Sequence, residues 1–158
     1  MAARPKQYCT FYLNGLLFGV EVTKVQEVIR HHDMTRVPLA PNVIRGLINL
    51  RGQIVTAIDL RRRLNMPGRE VSDRTINVVV RTDDGVVALI VDEISEVLEP
   101  DAELYEDPPD TTPPAVRSLI GQVCKLDTRL LLLLDVGKAV DIVAGGWDEL
   151  AENRKEAN

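Results

Sequence analysis

Apolar residues along this chain come in short runs broken by turn signals, and that alternation predicts a mainly β protein. Tyr8 to Leu13 and Leu16 to Val22 are β-rich runs separated by Asn14-Gly15. Asn-Gly between apolar runs is the strongest short hairpin signal. Val22, Val25, Val28 and Ile29 then recur at helical spacing, which predicts a turn or two of helix. The segment H-H-D-M-T-R-V-P-L-A-P-N reads as a loop bounded by prolines, with Asn42 placed to cap a helical turn before Gly46. Leu47 to Leu50 and Ile54 to Ile58 read as two strands around Arg51-Gly52, where glycine suits the positive φ of a tight turn. D-L-R-R-R-L-N-M-P-G predicts a short helix opened by Asp59 and ended by Pro67-Gly68.

The second half continues in the same manner. Ile76 to Arg81 and Val86 to Val91 flank Asp83-Asp84-Gly85, a second hairpin signal. Residues 100–114 hold five prolines and no apolar periodicity, so a long acidic loop is expected. Leu119 to Leu126 and Leu130 to Asp135 predict a third strand pair. After Gly145-Gly146 the sequence W-D-E-L-A-E-N-R-K-E-A-N is polar and weakly helical, with Trp147 and Leu150 as docking residues if it is ordered.

Internal repetition changes the picture most. N-G-L-L-F-G-V-E-V-T-K-V-Q-E-V-I (14–29) matches D-G-V-V-A-L-I-V-D-E-I-S-E-V-L (84–98) with one deletion. G-L-I-N-L-R-G-Q-I-V-T-A-I-D-L (46–60) matches G-Q-V-C-K-L-D-T-R-L-L-L-L-L-D-V (121–136) with one insertion. The units keep their order, so the chain reads as two related β-lobes in tandem. Many short strands suit a small barrel, whose closure removes exposed edges. The comparison also singles out Arg51. The second copy has Asp127-Thr128 at that turn, so the turn itself needs no arginine.

Composition narrows the function classes. The chain has 158 residues, enough for one compact domain or two fused lobes. At that size roughly 70% of the unfolded surface can be buried. Aromatics are only 4%, which argues against a stacking platform for single-stranded nucleic acid. Cys9 and Cys124 are too few for a disulfide framework and read as unpaired thiols in a reducing compartment. M-A-A-R-P-K-Q is followed by no apolar h-region, so no signal peptide is expected, and Leu130 to Leu134 is far too short to cross a membrane. A cytoplasmic location is expected.

Net charge is −5 but unevenly spread. Residues 30–74 hold nine Arg and no Lys against Asp33, Asp59, Glu70 and Asp73, a balance of +5; residues 92–110 hold nine acids and no base, a balance of −9. Such asymmetry arises from solvated faces or from two opposed faces that steer different partners. Catalytic signals are missing. His31-His32 has no third ligand at usable spacing, so no metal is expected. Asp92-Glu93, Glu96 and Glu99 read as a solvated face with no nucleophile beside them. Ser72, Ser95 and Ser118 lie in no nucleophile elbow, and no Gly-rich phosphate loop is present. No cofactor is expected.

N-L-R-G-Q-I-V, D-L-R, K-V-Q-E-V-I and V-D-E-I-S-E-V-L, in this order, resemble the CheW family, the coupling proteins of bacterial chemotaxis. The resemblance covers residues 8–143 and leaves 144–158 as a polar tail. It implies two interlocked five-stranded SH3-like β-barrels with short helices. The repeats place the first lobe at roughly 14–82 and the second at roughly 83–143, with the N-terminal strand a candidate to join the second. It implies a non-enzymatic scaffold between the cytoplasmic tip of methyl-accepting chemotaxis receptors and the regulatory domain of a CheA-type histidine kinase. Recruitment to membrane-associated receptor arrays follows, without insertion into the membrane. Ala57, where many relatives carry proline, and the basic run Arg61 to Arg63 depart from the family pattern.

By resemblance the receptor-binding residues are Val22, Val25, Glu27, Arg51, Gly52 and Ile54, in a groove between the lobes. Glu27 and Arg51 would form a salt bridge beside it, whose use would be to aim the guanidinium at a helical receptor tip. The kinase-binding residues would be Met34, Arg36, Val37 and Pro38. Two alternatives stand beside this reading. One is a small nucleic-acid-binding barrel that uses the Arg30 to Arg74 cluster. The other is an isolated kinase regulatory domain of the same fold.

Overall fold

The computed structural model describes residues 5–30, 32–69 and 74–141. The strands are β1 (Tyr8–Leu13), β2 (Leu16–Glu21), β3 (Val25–Arg30), β4 (Met34–Thr35), β5 (Ile44–Leu50), β6 (Gln53–Asp59), β7 (Ile76–Thr82), β8 (Gly85–Val91), β9 (Glu93–Leu98), β10 (Tyr105–Glu106), β11 (Ile120–Lys125) and β12 (Leu130–Leu134). Three one-turn helices accompany them: α1 (Leu60–Arg63), α2 (Pro114–Arg117) and α3 (Val136–Ala139).

The strands form two sheets, in the orders β10-β11-β12-β2-β1-β9 and β3-β7-β8-β6-β5-β4. Each has five longer strands and one two-residue edge strand, β10 or β4. The chain starts in the β1 sheet and passes to the β3 sheet through a 3-10 turn at Val22–Lys24. It returns at Asp92, between β8 and β9. The two units are therefore interlocked. Sheet membership does not follow the split at residue 82. The two-residue turn Asp83-Asp84 is too short to change sheets, so β7 and β8 stay together as an antiparallel hairpin. β2 lies with β1 and with β12, its parallel neighbour, and the corresponding parallel pair in the other sheet is β6–β8.

Period-two alternation distributes the side chains among three clusters. On β12, Leu132 and Leu134 enter a central cluster, while Leu131 and Leu133 enter one on the opposite face with Tyr8, Leu17 and Cys124. On β8, Val87, Leu89 and Val91 enter the same central cluster, while Ala88 and Ile90 join Ile48, Leu50, Val55 and Val79. These strands are buried on both faces, which is why they read as unbroken apolar runs. Each sheet thus encloses a core of its own, and both sheets share the central one. Phe11 and Phe18 stack at its middle, with centroids 6.1 Å apart and 12° between planes. Full burial of such side chains contributes about 1.5–3 kcal/mol each.

Three expectations from spacing change. Residues 25–30 are a strand, not a turn of helix, and the matching residues 93–98 are a strand as well. Both are sheet edges, and a bulge between Val25 and Glu27 breaks strict alternation, so the valines mimic a helical period. Asn42 starts a plain turn closed by Ile44 N–H on the Pro41 carbonyl, because β5 begins at once. The stretch 100–114 is not structureless: it carries a 3-10 turn, Ala102–Leu104, then β10 and the start of α2. The helix opens at Asp59 as expected, Asp59 Oδ1 accepting the Arg62 N–H at 3.2 Å, but it ends at Arg63 and not at Pro67-Gly68, Asn65 having a positive φ of 59°. Asp135 does the same for the Lys138 N–H at 3.1 Å, so both repeats keep their aspartate cap. Trp147 and Leu150 lie outside the described residues.

Candidate functional site

The β5–β6 turn answers why an arginine interrupts the apolar run. Arg51 and Gly52 have φ of 52° and 87°, the paired positive values of a type I′ hairpin turn. Asn49 braces it, its Oδ1 accepting the Gly52 N–H at 2.9 Å. β3 stands at the far edge of the same sheet, yet Arg51 Nη2 donates to Glu27 Oε2 on it. The sheet therefore curls until its β3 edge meets its β5–β6 turn. That hydrogen bond and charge hold the Glu27 carboxyl below its ordinary range and raise the Arg51 guanidinium. The Arg51 side chain remains 68% exposed, so it is aimed without being covered.

Near this pair in sequence, Ile54 on β6 is 60% exposed and Val22 at the crossover into β3 is 37% exposed, large apolar side chains left in water. Val25 differs: it is partly buried and packs against the central cluster. The structure thus bonds Glu27 to Arg51, sets Gly52 and Ile54 directly after it, and presents Val22 at the sheet crossover. Val28, 43% exposed on β3, adds to the exposed apolar residues of this edge strand and is not among the receptor-binding residues that the resemblance implies.

Met34, Arg36, Val37 and Pro38 line one open recess of about 910 Å³, together with Arg45 and Arg62. The sequence signal for this recess was only a proline-bounded loop. At its rim Leu39 is 89% exposed at φ 68°.

The repeat leads to a second pair. Glu96 on β9 occupies the place of Glu27, and Arg129 Nη2 reaches its Oε1 at 3.4 Å from the β11–β12 turn. Here Tyr12 intervenes. Its hydroxyl accepts from Arg129 Nη1, and the guanidinium carbon sits 6.0 Å from the ring centroid. Arg129 was missed in the sequence because the one-residue insertion displaces it from the alignment with Arg51.

The basic segment is largely engaged within the protein. Arg51 holds Glu27, Arg61 and Arg69 hold Asp92, Arg62 holds Asp59, and Arg63 donates to the Ala139 and Lys138 carbonyls. Asp92 is accordingly not on a solvated face. Among the described residues no group of His, Cys, Asp and Glu could hold a metal ion. Burial pushes the Cys124 thiol up to about 11, which leaves it protonated at neutral pH.

Comparison with known proteins decides the family. The model of the CheW-like domain matches residues 7–143. This chain belongs to the CheW family. It is 34% identical over 131 residues to the chemotaxis protein CheW of Bacillus subtilis, covering 83% of this chain and 84% of that protein. It is 31% identical over 133 residues to the chemotaxis protein CheW of Klebsiella aerogenes, with 84% and 80% covered. The crystal structure of the scaffolding protein TtCheW from Thermoanaerobacter tengcongensis superposes with a TM-score of 0.74 at 30% identity, covering 83% and 89% of the two chains. The interlocked two-sheet architecture is that of the family, and the small nucleic-acid-binding barrel is not favoured.

Proposed function

We propose that this CheW-family protein is a non-enzymatic chemotaxis scaffold. It couples the cytoplasmic tip of methyl-accepting chemoreceptors to the regulatory domain of a CheA-type histidine kinase and helps assemble receptor arrays. The observation that carries the reading is the exposed Arg51 guanidinium held by Glu27, with exposed Ile54 three residues after Arg51 and exposed Val22 five residues before Glu27. A helical hairpin tip offers apolar ridges with polar flanks, and an apolar edge with one oriented cation is complementary to it. Val25 and Gly52 act from behind, Val25 by seating β3 on the core and Gly52 by setting the turn.

The kinase-facing surface in this reading is the recess bearing Met34, Arg36, Val37 and Pro38. Receptor and kinase would then bind the β3 sheet at separate places. Interfaces of this type bury about 1,200 Å² or less and bind at about micromolar affinity. No helix among the described residues is long and apolar enough to cross a membrane, so recruitment to membrane-associated arrays would go through the receptors.

Co-sedimentation tests this. Purified receptor cytoplasmic fragments, assembled on vesicles, should carry down the kinase in the presence of the protein and much less in its absence. Equal kinase recovery with and without the protein would exclude the scaffold role.

A further inference from the structure

Between the two sheets lies a partly buried ion pair that neither the receptor edge nor the kinase recess uses. Arg61, in α1 directly after β6, belongs to the β3 sheet. Its Nε and Nη2 donate to Asp92 Oδ1 and Oδ2 at 2.7 and 2.6 Å, a bidentate fork. Both side chains are 13% exposed. Asp92 stands where the chain returns to the β1 sheet. Its Oδ2 also accepts the Asn14 N–H at 2.8 Å from the β1–β2 turn, and its own N–H donates to the Tyr12 carbonyl at 3.1 Å. Arg61 Nη1 donates to the Pro67 carbonyl at 2.9 Å. Two residues further on, Arg63 reaches the same sheet by another route, donating at 3.0 Å to the Ala139 and Lys138 carbonyls at the end of α3.

The repeat gives this arrangement its meaning. Glu21-Val22 and Val91-Asp92 are equivalent crossovers between sheets. The first is a 3-10 turn with no buried residue and with exposed Val22 on the receptor edge. The second is closed by a charged fork. Burial alone would raise the Asp92 carboxyl, yet the Arg61 hydrogen bond and the Asn14 N–H hold it below its ordinary range. A bidentate Arg–carboxylate pair with little exposure fixes direction more strictly than apolar packing, because both planes must align.

We infer that Arg61 and Asp92 are positioning residues: a latch that fixes the angle between the two sheets, so that the receptor edge at the open crossover and the β1 sheet move as one body. This rests on the scaffold reading for its consequence but not for its geometry. With the latch in place, displacement at Val22 is passed to the whole molecule. Without it, the open crossover flexes and the displacement stays local.

The test measures geometry and coupling on the full chain. Spin labels at Asp83→Cys and Asp127→Cys, one exposed turn on each sheet, in a Cys9→Ala background, report the distance between sheets. Arg61→Met should at least double the width of the distance distribution. It should lower receptor-dependent kinase control at least threefold while receptor co-sedimentation stays within twofold of the native protein. Arg61→Lys, which restores one of the two contacts, should fall between. Asp92→Asn gives the same readings if Arg61→Met does not fold. A folded variant with an unchanged distribution overturns the latch, as does a broadened one with unchanged kinase control. Loss of folding in both variants also overturns it, since the pair would then hold the fold and not the angle. If the native protein confers no kinase control, the scaffold reading fails, and the distance measurement still decides the geometric claim.

Discussion

The two edge strands β3 and β9 carry related local sequences, with Glu-Val in common, in opposite electrical dress. On β3, Glu27 is the more covered partner at 25% exposure and Arg51 stands out at 68%; on β9, Glu96 stands out at 66% and Arg129 is drawn in to 35%. One side chain makes the difference. Tyr12 on β1 accepts from Arg129 and lies under its guanidinium, while among the described residues Arg51 is held by Glu27 alone. The first copy therefore presents its cation to solvent and the second its carboxylate, and each edge strand also carries an exposed valine, Val28 or Val97. The repeat presents two related surfaces, and a tyrosine against the arginine of one of them accompanies their difference in chemistry.

The sharpest way to break the comparison is to reverse the charge at each copy. Arg51→Glu should weaken binding to receptor cytoplasmic fragments at least tenfold while leaving the thermal midpoint within a few degrees, since the side chain is mostly in water. Arg129→Glu should leave receptor binding within twofold. Co-sedimentation of both variants in parallel checks the pair of outcomes. Equal losses would mean that the two edges are not functionally distinct, and unchanged binding by Arg51→Glu would remove Arg51 from the receptor site.

How far this was legible in the sequence depends on distance along the chain. The Asn14-Gly15 and Arg51-Gly52 hairpins and the Asp59 cap are local patterns, and each is present in the structure. The strand β3 reads as a turn of helix because Val22, Val25 and Val28 recur three apart, a helical spacing, and a bulge at that exposed edge breaks the strand's own alternation. The exchange of strands between sheets was hidden for another reason. The parallel pairs β2–β12 and β6–β8 join segments far apart in sequence, and no local signal specifies them. Of the site residues, Glu27 and Arg51 meet as expected, and Val25 turned inward. Asp92 was misread because its partner Arg61 sits thirty-one positions away, where an acidic residue looks solvated on its own.

Removing the tyrosine sharpens the comparison from the other side. Tyr12→Phe keeps the ring under Arg129 and deletes only the hydroxyl that accepts from it. The loss of one such hydrogen bond costs about 1 kcal/mol, which chemical denaturation resolves as a lower midpoint with an unchanged slope. Arg129 would gain exposure and come to resemble Arg51. Receptor binding should stay within twofold, because β9 still lacks the equivalent of Ile54's exposed face. A variant as stable as the native protein would show that Tyr12 does not tether Arg129.

The smallest effect is electrostatic and concerns Glu27 and Asp92, the two carboxylates held down by an arginine. Each has a folded-state pKa below its unfolded value. Stability from such a group is fully present above the unfolded value, about 4.3 for Glu and 3.9 for Asp, and is lost as pH falls through the lowered folded value. Between neutrality and those ordinary values neither pair weakens, so the exposed turn and the latch should both hold at mildly acidic pH. Carbon-detected NMR can follow the Glu27 carboxyl directly. Its midpoint should lie below the ordinary glutamate value in the native protein and return toward it in Arg51→Gln, where the hydrogen bond to the guanidinium is absent. The same substitution should leave Asp92 unmoved, because Arg61 and the Asn14 N–H are untouched. A Glu27 midpoint at the ordinary value in the native protein would mean that Arg51 is not aimed by this carboxylate in solution, and the distinction between the two edges would then rest on Tyr12 alone.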